Sequence, residues 1–175
     1  MVVVGHSGGA IVGSKVAVAI PERVRWLTFV SGVVLEDGEC LLDVAPPQYR
    51  PTFDQLAAAS PDNTVTIPFD LWHSSFINDA DVDLARSAYQ QLHPEGYDLM
   101  TEQVDLTGFA ELDIPMSYVN LTDDVVFPPG EWGWHPRLTS RLPFHRILQR
   151  PGSHEVMFTD PEALAEAIID ASAAR

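Results

Sequence analysis

Residues 2–9, VVVGHSGG, constrain the fold more than any other stretch of the chain. Val2 to Val4 form a continuous β-branched run, the pattern of a strand buried on both faces in a parallel sheet. The run passes directly into Gly5-His6-Ser7-Gly8-Gly9, a G-x-S-x-G turn. Between a strand and a helix such a turn is strained, and it lifts a serine hydroxyl clear of the sheet. Gly5 and Gly9 leave room that a side chain would fill where helix and strand cross. Ala10 to Ile20 (AIVGSKVAVAI) then reads as a helix, apolar almost throughout, with small residues at Gly9, Ala10 and Gly13 and an end at Pro21 and Glu22. Arg25 to Leu35 (RWLTFVSGVVL) reads as a second buried strand. Strand, helix and strand within about 34 residues make one right-handed βαβ unit.

From Glu36 to about Thr107 the texture changes. Pro46, Pro47, Pro51, Pro61 and Pro68 break the first half of this stretch into turns and short pieces. Asp81 to Leu92 (DVDLARSAYQQL) predicts a helix with Val82, Ala85, Ala88, Tyr89 and Leu92 on one stripe, stopped by Pro94-Glu95-Gly96. Residues 45–107 are expected to form a helical cap inserted into a single domain spanning 1–175, without a second core. Pro115 to Leu121 (PMSYVNL) returns to strand character and ends in Thr122-Asp123-Asp124. Glu131 to Leu142 is expected to be helical, with Pro136 inside it. Phe144 to Leu148 (FHRIL) predicts a last strand that runs into Arg150-Pro151-Gly152-Ser153-His154. Asp160 as N-cap, Pro161 at the first helical position and Glu162 in the first turn open a final amphipathic helix to Ala174. Strands alternating with helices specify an α/β fold around a parallel sheet.

Bulk properties remove several function classes. At 175 residues the chain can bury a sizeable core, and 46% hydrophobic content argues against disorder. A net charge of −15, with Lys15 the only lysine beside nine arginines, excludes nucleic acid as a partner, because phosphate binding needs clustered positive charge. Cys40 is alone, so no disulfide framework or cysteine metal site is expected. His73, His93, His135 and His145 lack metal-ligand spacing, and no metal or cofactor is implied. Gly8 to Lys15 (GGAIVGSK) imitates a phosphate loop, but Ser14 and Lys15 stand in the reverse of the required order. No apolar run is long enough to cross a membrane, no signal peptide is recognisable, and the cytoplasm is the expected compartment.

Three strand ends carry chemistry: Ser7, Asp123-Asp124 and His154. In parallel α/β sheets, functional groups gather beyond the carboxyl ends of the strands. Serine needs a base to take its proton, and histidine does so near neutral pH. A carboxylate then holds the histidine's tautomer and stabilises the imidazolium. Either Asp123 or Asp124 can serve. The backbone N–H of Gly8, at the start of the helix, faces the position of an oxyanion. His6, Trp72 and Phe76 are candidates to line the substrate pocket, although the aromatic residues equally fit a small core of the cap.

The stretch GHSGGAIVGSKVAVAIPERVRWLTFVSGVVLEDGECLLDVAPP resembles the α/β-hydrolase group that contains plant methylesterases, hydroxynitrile lyases and bacterial esterases. That group typically shows a GHS-x-GG elbow, PER before the next strand and EDG after it; the corresponding stretches here are GHSGGA, PER and EDG. Leu92-His93-Pro94 resembles the close of that group's cap helix, and Asp160 to Leu164 resembles its final helix. The resemblance covers nearly the whole chain. It implies Ser7 as nucleophile, Asp124 as acid ahead of Phe127-Pro128, and His154 as base, acting on a small apolar ester. The group's preceding strands, and the His-Gly turn that supplies a second oxyanion donor, have no counterpart in Met1 to Val4. The expectation is therefore the part of an α/β-hydrolase fold from the nucleophile strand onward, with an open edge at Val2–Val4 through which a homo-oligomer could form. Two other functions stay open: an inactive hydrolase-like chain that acts by association, and a hydroxynitrile lyase. The lyase is disfavoured because Lys15 lies on a helix that looks buried.

Overall fold

The computed structural model describes residues 1–173. Its centre is a four-stranded parallel sheet of β1 (Val2–His6), β2 (Trp26–Val30), β5 (Met116–Leu121) and β6 (His145–Arg150), in the order β1-β2-β5-β6. A separate antiparallel pair, β3 (Thr64–Val65) and β4 (Glu95–Gly96), was not expected from sequence. Val2 pairs with Trp26, Leu27 with Met116 and Met116 with His145, so the carboxyl ends of all four central strands lie on one side.

Helix α1 (Gly9–Ala19) packs on one face of the sheet through Ala10, Gly13, Ser14 and Ala17. It is followed by a short 3-10 turn at Pro21–Arg23. The close of the helix onto the sheet depends on Gly5, where a Cβ would lie 2.4 Å from the Ala10 Cα. The other face of β5 and β6 is covered by the last helix, Pro161–Ala171, with Ala167 and Ala171 packed beside Val30, Val119, Leu121 and Leu148. Asp160 caps that helix, accepting from the Ala163 N–H at 3.1 Å. The sequence expectation ran to Ala174, which lies outside the described residues.

Four other expectations are corrected. Val2 and Val4 are not buried on both faces: they are 36% and 43% exposed, while Val3 packs toward α1. The alternation arises because β1 is the sheet's edge, with a neighbour on one side only and α1 over one face. The second strand stops at Val30, because Ser31 turns into left-handed backbone at φ 35°, although Val33 to Leu35 remain buried. Residues 131–142 do not form a helix. Gly130 takes left-handed backbone at φ 99° just before the stretch, Pro136 offers no N–H, and only a 3-10 turn at Thr139–Arg141 forms. Lys15 is not buried: its side chain is half exposed and pairs with Asp105 at 3.9 Å.

Between β2 and β5 lie the helices Tyr49–Ala59 and Val82–Tyr89, with shorter turns around them. Tyr49, Phe53, Ala57 and Met100 join the main core. Trp72, Ile77, Ala85 and Ala88 form a small cluster of their own, with Phe76 and Phe158 packed against it. On the second helix Ala85 and Ala88 are buried as the stripe requires, whereas Val82 faces solvent and Leu92 lies beyond the helix end at Tyr89. Among the described residues no helix is long and apolar enough to cross a membrane.

Candidate active site

Ser7 ends β1 and opens the turn into α1 with φ 51°, a left-handed conformation that a serine adopts only when its surroundings impose it. Three backbone bonds impose it. The Ser7 N–H donates to the Val30 carbonyl at 3.2 Å, and the Ser7 carbonyl accepts from the N–H groups of Ala10 at 3.1 Å and Val33 at 3.0 Å. The elbow is thus tied to its own helix and to the end of β2. Among the described residues the Ser7 hydroxyl has no hydrogen-bond partner, and it lines a cavity of about 300 Å³.

The turn after β5 separates its two carboxylates. Asp123 is exposed, and its Oδ2 accepts from the Gly152 N–H at 2.9 Å, holding the two loops together. Asp124 turns inward and is 4% exposed. Its Oδ1 accepts from the Val126 N–H at 3.0 Å, and its Oδ2 accepts from His154 Nδ1 at 2.6 Å. Burial opposes charge on Asp124, but His154, the Val126 N–H and the otherwise unpartnered Ser31 hydroxyl together hold its carboxyl below the usual range.

His154 is 1% exposed, and its ring is fixed by three others. Trp134 stacks on it at 5.4 Å and 14°, Phe76 meets it edge-on at 5.6 Å, and His6 lies against it at 4.6 Å. His6 Nε2 donates to the His154 carbonyl at 2.9 Å, so both ring and backbone of His154 are held. Burial, helped by the neighbouring His154, lowers the His6 pKa to about 3, which keeps His6 neutral in the working pH range. With its Nδ1–H given to Asp124, His154 keeps Nε2 as a lone-pair nitrogen.

The segment Phe76 to Asp79 reaches this loop from the far side. The Phe76 carbonyl accepts from the Glu155 N–H at 3.0 Å, and Asn78 Nδ2 donates to the Asp123 carbonyl at 3.1 Å. Asp79 Oδ2 accepts from both the Ser153 N–H and the Thr159 hydroxyl, each at 3.1 Å. Three residues of this one segment, Phe76, Asn78 and Asp79, therefore clamp the loops that carry Asp124 and His154.

The cavity wall contains every residue expected to face a substrate: His6, Trp72 and Phe76, with Ser7 and Gly8 at one end. Trp72 and Phe76 also belong to the small aromatic and aliphatic cluster, so pocket lining and local core were not exclusive alternatives. The N–H of Gly8 has no backbone acceptor among the described residues. Ser7 and His154 face the same cavity without a direct hydrogen bond, whereas Asp124 and His154 are joined. Trp134, Asp79 and Glu155 were missed. Trp134 was hidden in an expected helix and Asp79 in a loop; Glu155 was legible only as the neighbour of His154. His6, His154 and Glu155 each place one metal-capable atom within 4.8 Å of the others, a grouping that 148 residues of separation conceal in the sequence.

Residues 2–167 match the family model described as the alpha/beta hydrolase family. Among solved structures, an extracellular alpha/beta-hydrolase from a Paenibacillus species, described as sharing structural and functional homology with tobacco salicylic acid binding protein 2, is 34% identical. Its TM-score is 0.94, over 98% of this chain and 71% of that one. A pyrethroid hydrolase from Sphingobium faniae has a TM-score of 0.73 at 21% identity, covering 98% of this chain and 70% of its own. Polyneuridine aldehyde esterase has a TM-score of 0.70 at 14% identity, covering 99% of this chain and 72% of its own. The latter two likenesses speak for the fold alone. Curated proteins give no match. A family model over nearly all of the chain, a relative at 34% identity and a parallel sheet with its serine turn at the carboxyl edge lead to one assignment: the chain belongs to the alpha/beta hydrolase family.

Proposed function

We propose that the protein is a serine esterase in which Ser7, His154 and Asp124 act as nucleophile, base and acid. The observation that carries this reading is the buried 2.6 Å bond between Asp124 and His154, opening on the cavity that Ser7 lines. In the first step His154 Nε2 takes the hydroxyl proton as Ser7 Oγ attacks the ester carbonyl carbon. The carbonyl electrons move onto oxygen, and the Gly8 N–H donates to that oxyanion. Collapse of the intermediate breaks the bond to the alcohol, which leaves with the proton held by His154. Water then repeats the sequence on the acyl-serine and releases the acid. Asp124 keeps His154 in the tautomer with a free Nε2 and stabilises the imidazolium. The mainly apolar wall, with Val33, Tyr49, Phe53, Phe127 and Trp134, favours a small apolar ester.

A cyanohydrin lyase with the same three residues would need a cation beside the departing cyanide. Among the described residues no lysine or arginine lines the cavity, and Lys15 faces Asp105 on the outside of α1. The esterase reading is therefore preferred.

A fluorophosphonate probe tests it directly. The folded protein is expected to take up one phosphonyl group, found by peptide mass analysis on the Ser7 peptide. A folded sample that stays unmodified would favour a chain that acts only by association. The clamp adds a second expectation. Asp79→Ala leaves the Ser153 N–H without its acceptor and loosens the His154 loop, so kcat should fall roughly tenfold or more while KM changes little. Asp79→Asn retains an acceptor oxygen and should recover most of the rate. Equal loss in both variants, measured by steady-state kinetics, would argue against a positioning role.

A further inference from the structure

Glu155 is a carboxylate in an unusual place. Its backbone is fixed by the bond from its N–H to the Phe76 carbonyl, and its side chain lines the cavity next to His154. A carboxylate oxygen lies within 4.8 Å of ring nitrogens of both His6 and His154. Among the described residues that carboxylate has neither a hydrogen-bond donor nor an ion pair. Burial raises its pKa, His154 opposes the rise and the nearby Asp124 adds to it. The stability of the fold gains nothing from such a group.

The rest of the wall does not offset it. Glu95 is the other charged carboxylate of the lining, and no lysine or arginine joins them among the described residues. Arg137 lies behind the wall, where it donates to the Val44 and Trp132 carbonyls and covers the rings of Phe127 and Trp132. His6 is held neutral. The cavity wall thus carries two carboxyl side chains and, among the described residues, no lysine or arginine.

Resting on the esterase reading, we propose that Glu155 sets the substrate class: the site takes neutral or positively charged esters, excludes esters that also carry a free carboxylate, and expels its own acid product. Hydrolysis converts a neutral ester into an acid that loses its proton to water. The resulting carboxylate then sits beside Ser7 and His154, within reach of the Glu155 charge, and is repelled from the cavity as it forms. A cationic ligand is attracted by the same charge.

Binding of three probes of similar shape, benzoate, benzamide and protonated benzylamine, to the Ser7→Ala protein at about pH 8 separates charge from size, because free benzoate is ionised there. Isothermal titration should rank benzylamine above benzamide and benzamide above benzoate. Glu155→Gln should strengthen benzoate and weaken benzylamine, changing the ratio of their affinities about tenfold, a shift on the order of 1.4 kcal/mol. Glu95→Gln, at the exposed end of the cavity, should change it less. A ratio unaltered by Glu155→Gln, or no preference for the cation in the parent, overturns the proposal. The experiment needs no turnover, so it is separable from the esterase reading. Phosphonate labelling with an unaltered ratio removes only the substrate class; an altered ratio without labelling removes only the esterase.

Discussion

Asp124→Asn is expected to lower kcat for ester hydrolysis by about 10⁴-fold, with KM nearly unchanged. The cause is the direction of one hydrogen bond. Asp124 Oδ2 accepts the proton on His154 Nδ1 at 2.6 Å, and Oδ1 is occupied by the Val126 N–H at 3.0 Å. An asparagine in this pocket would keep its oxygen on the Val126 N–H and turn its NH₂ toward Nδ1. The imidazole proton then moves to Nε2, and the lone pair that should deprotonate Ser7 is lost. Little else changes, because an amide and a carboxylate have nearly the same shape and Asp124 is only 4% exposed. Asp123→Asn is the control: Asp123 is exposed and its side chain bonds Gly152 and the adjacent Thr122, away from His154, so its variant should stay within about threefold of the parent. Comparable losses in the two variants would contradict the assignment of Asp124. On the proposed esterase reading the three residues act as one unit, so Ser7→Ala combined with Asp124→Asn should be no slower than Ser7→Ala alone. Additive losses would show that Asp124 acts by some other route.

The legibility of this site in the sequence follows the physics of each part. The serine turn was readable because its glycines and β-branched strand answer to local sterics, which depend on residues a few positions apart. The final helix was readable for the same reason: Asp160 and Pro161 fix its start through the nearest N–H groups. The order of Ser7, Asp124 and His154 along the chain was visible, but the choice between adjacent aspartates rested on a family resemblance. The structure separates them by burial, a property of the whole fold. Trp134 and Asp79 were not legible, because each acts on His154 across the fold without a periodic pattern around it. The expected helix at 131–142 failed where composition looked permissive but the left-handed Gly130 and the missing N–H of Pro136 work against it. The misreading of Val2 and Val4 has a different origin: a β-branched run reports a strand, not how many of its faces are covered.

The second large effect concerns the fold that presents Ser7. Gly5→Ala should destabilise the protein by about 3 kcal/mol or more, since the change forces atoms into a packed backbone. For a chain of this size that lowers Tm by roughly 6–12 °C. The added Cβ would sit 2.4 Å from the Ala10 Cα, 2.9 Å from its nitrogen and 3.1 Å from its Cβ. None of these is the far end of a flexible side chain. Ala10 is fully buried and belongs to the main core, so α1 cannot yield without dragging its neighbours from β2. Gly9→Ala tests whether the cost comes from this contact or from glycine loss in general. A Cβ at Gly9 meets nothing within 4 Å, and the residue opens a helix, where alanine is favoured over glycine by up to about 1 kcal/mol. Thermal unfolding followed by circular dichroism should therefore separate the two variants by sign: Gly5→Ala well below the parent, Gly9→Ala at or above it. Equal melting of Gly5→Ala and parent would mean that α1 crosses β1 less closely than 2.4 Å implies. The same displacement that accommodates a methyl group would shift the Ala10 N–H away from the Ser7 carbonyl, one of three bonds that hold Ser7 at φ 51°. Whatever Gly5→Ala protein remains folded should consequently react more slowly with the fluorophosphonate probe, because stability and the presentation of Ser7 depend on one contact.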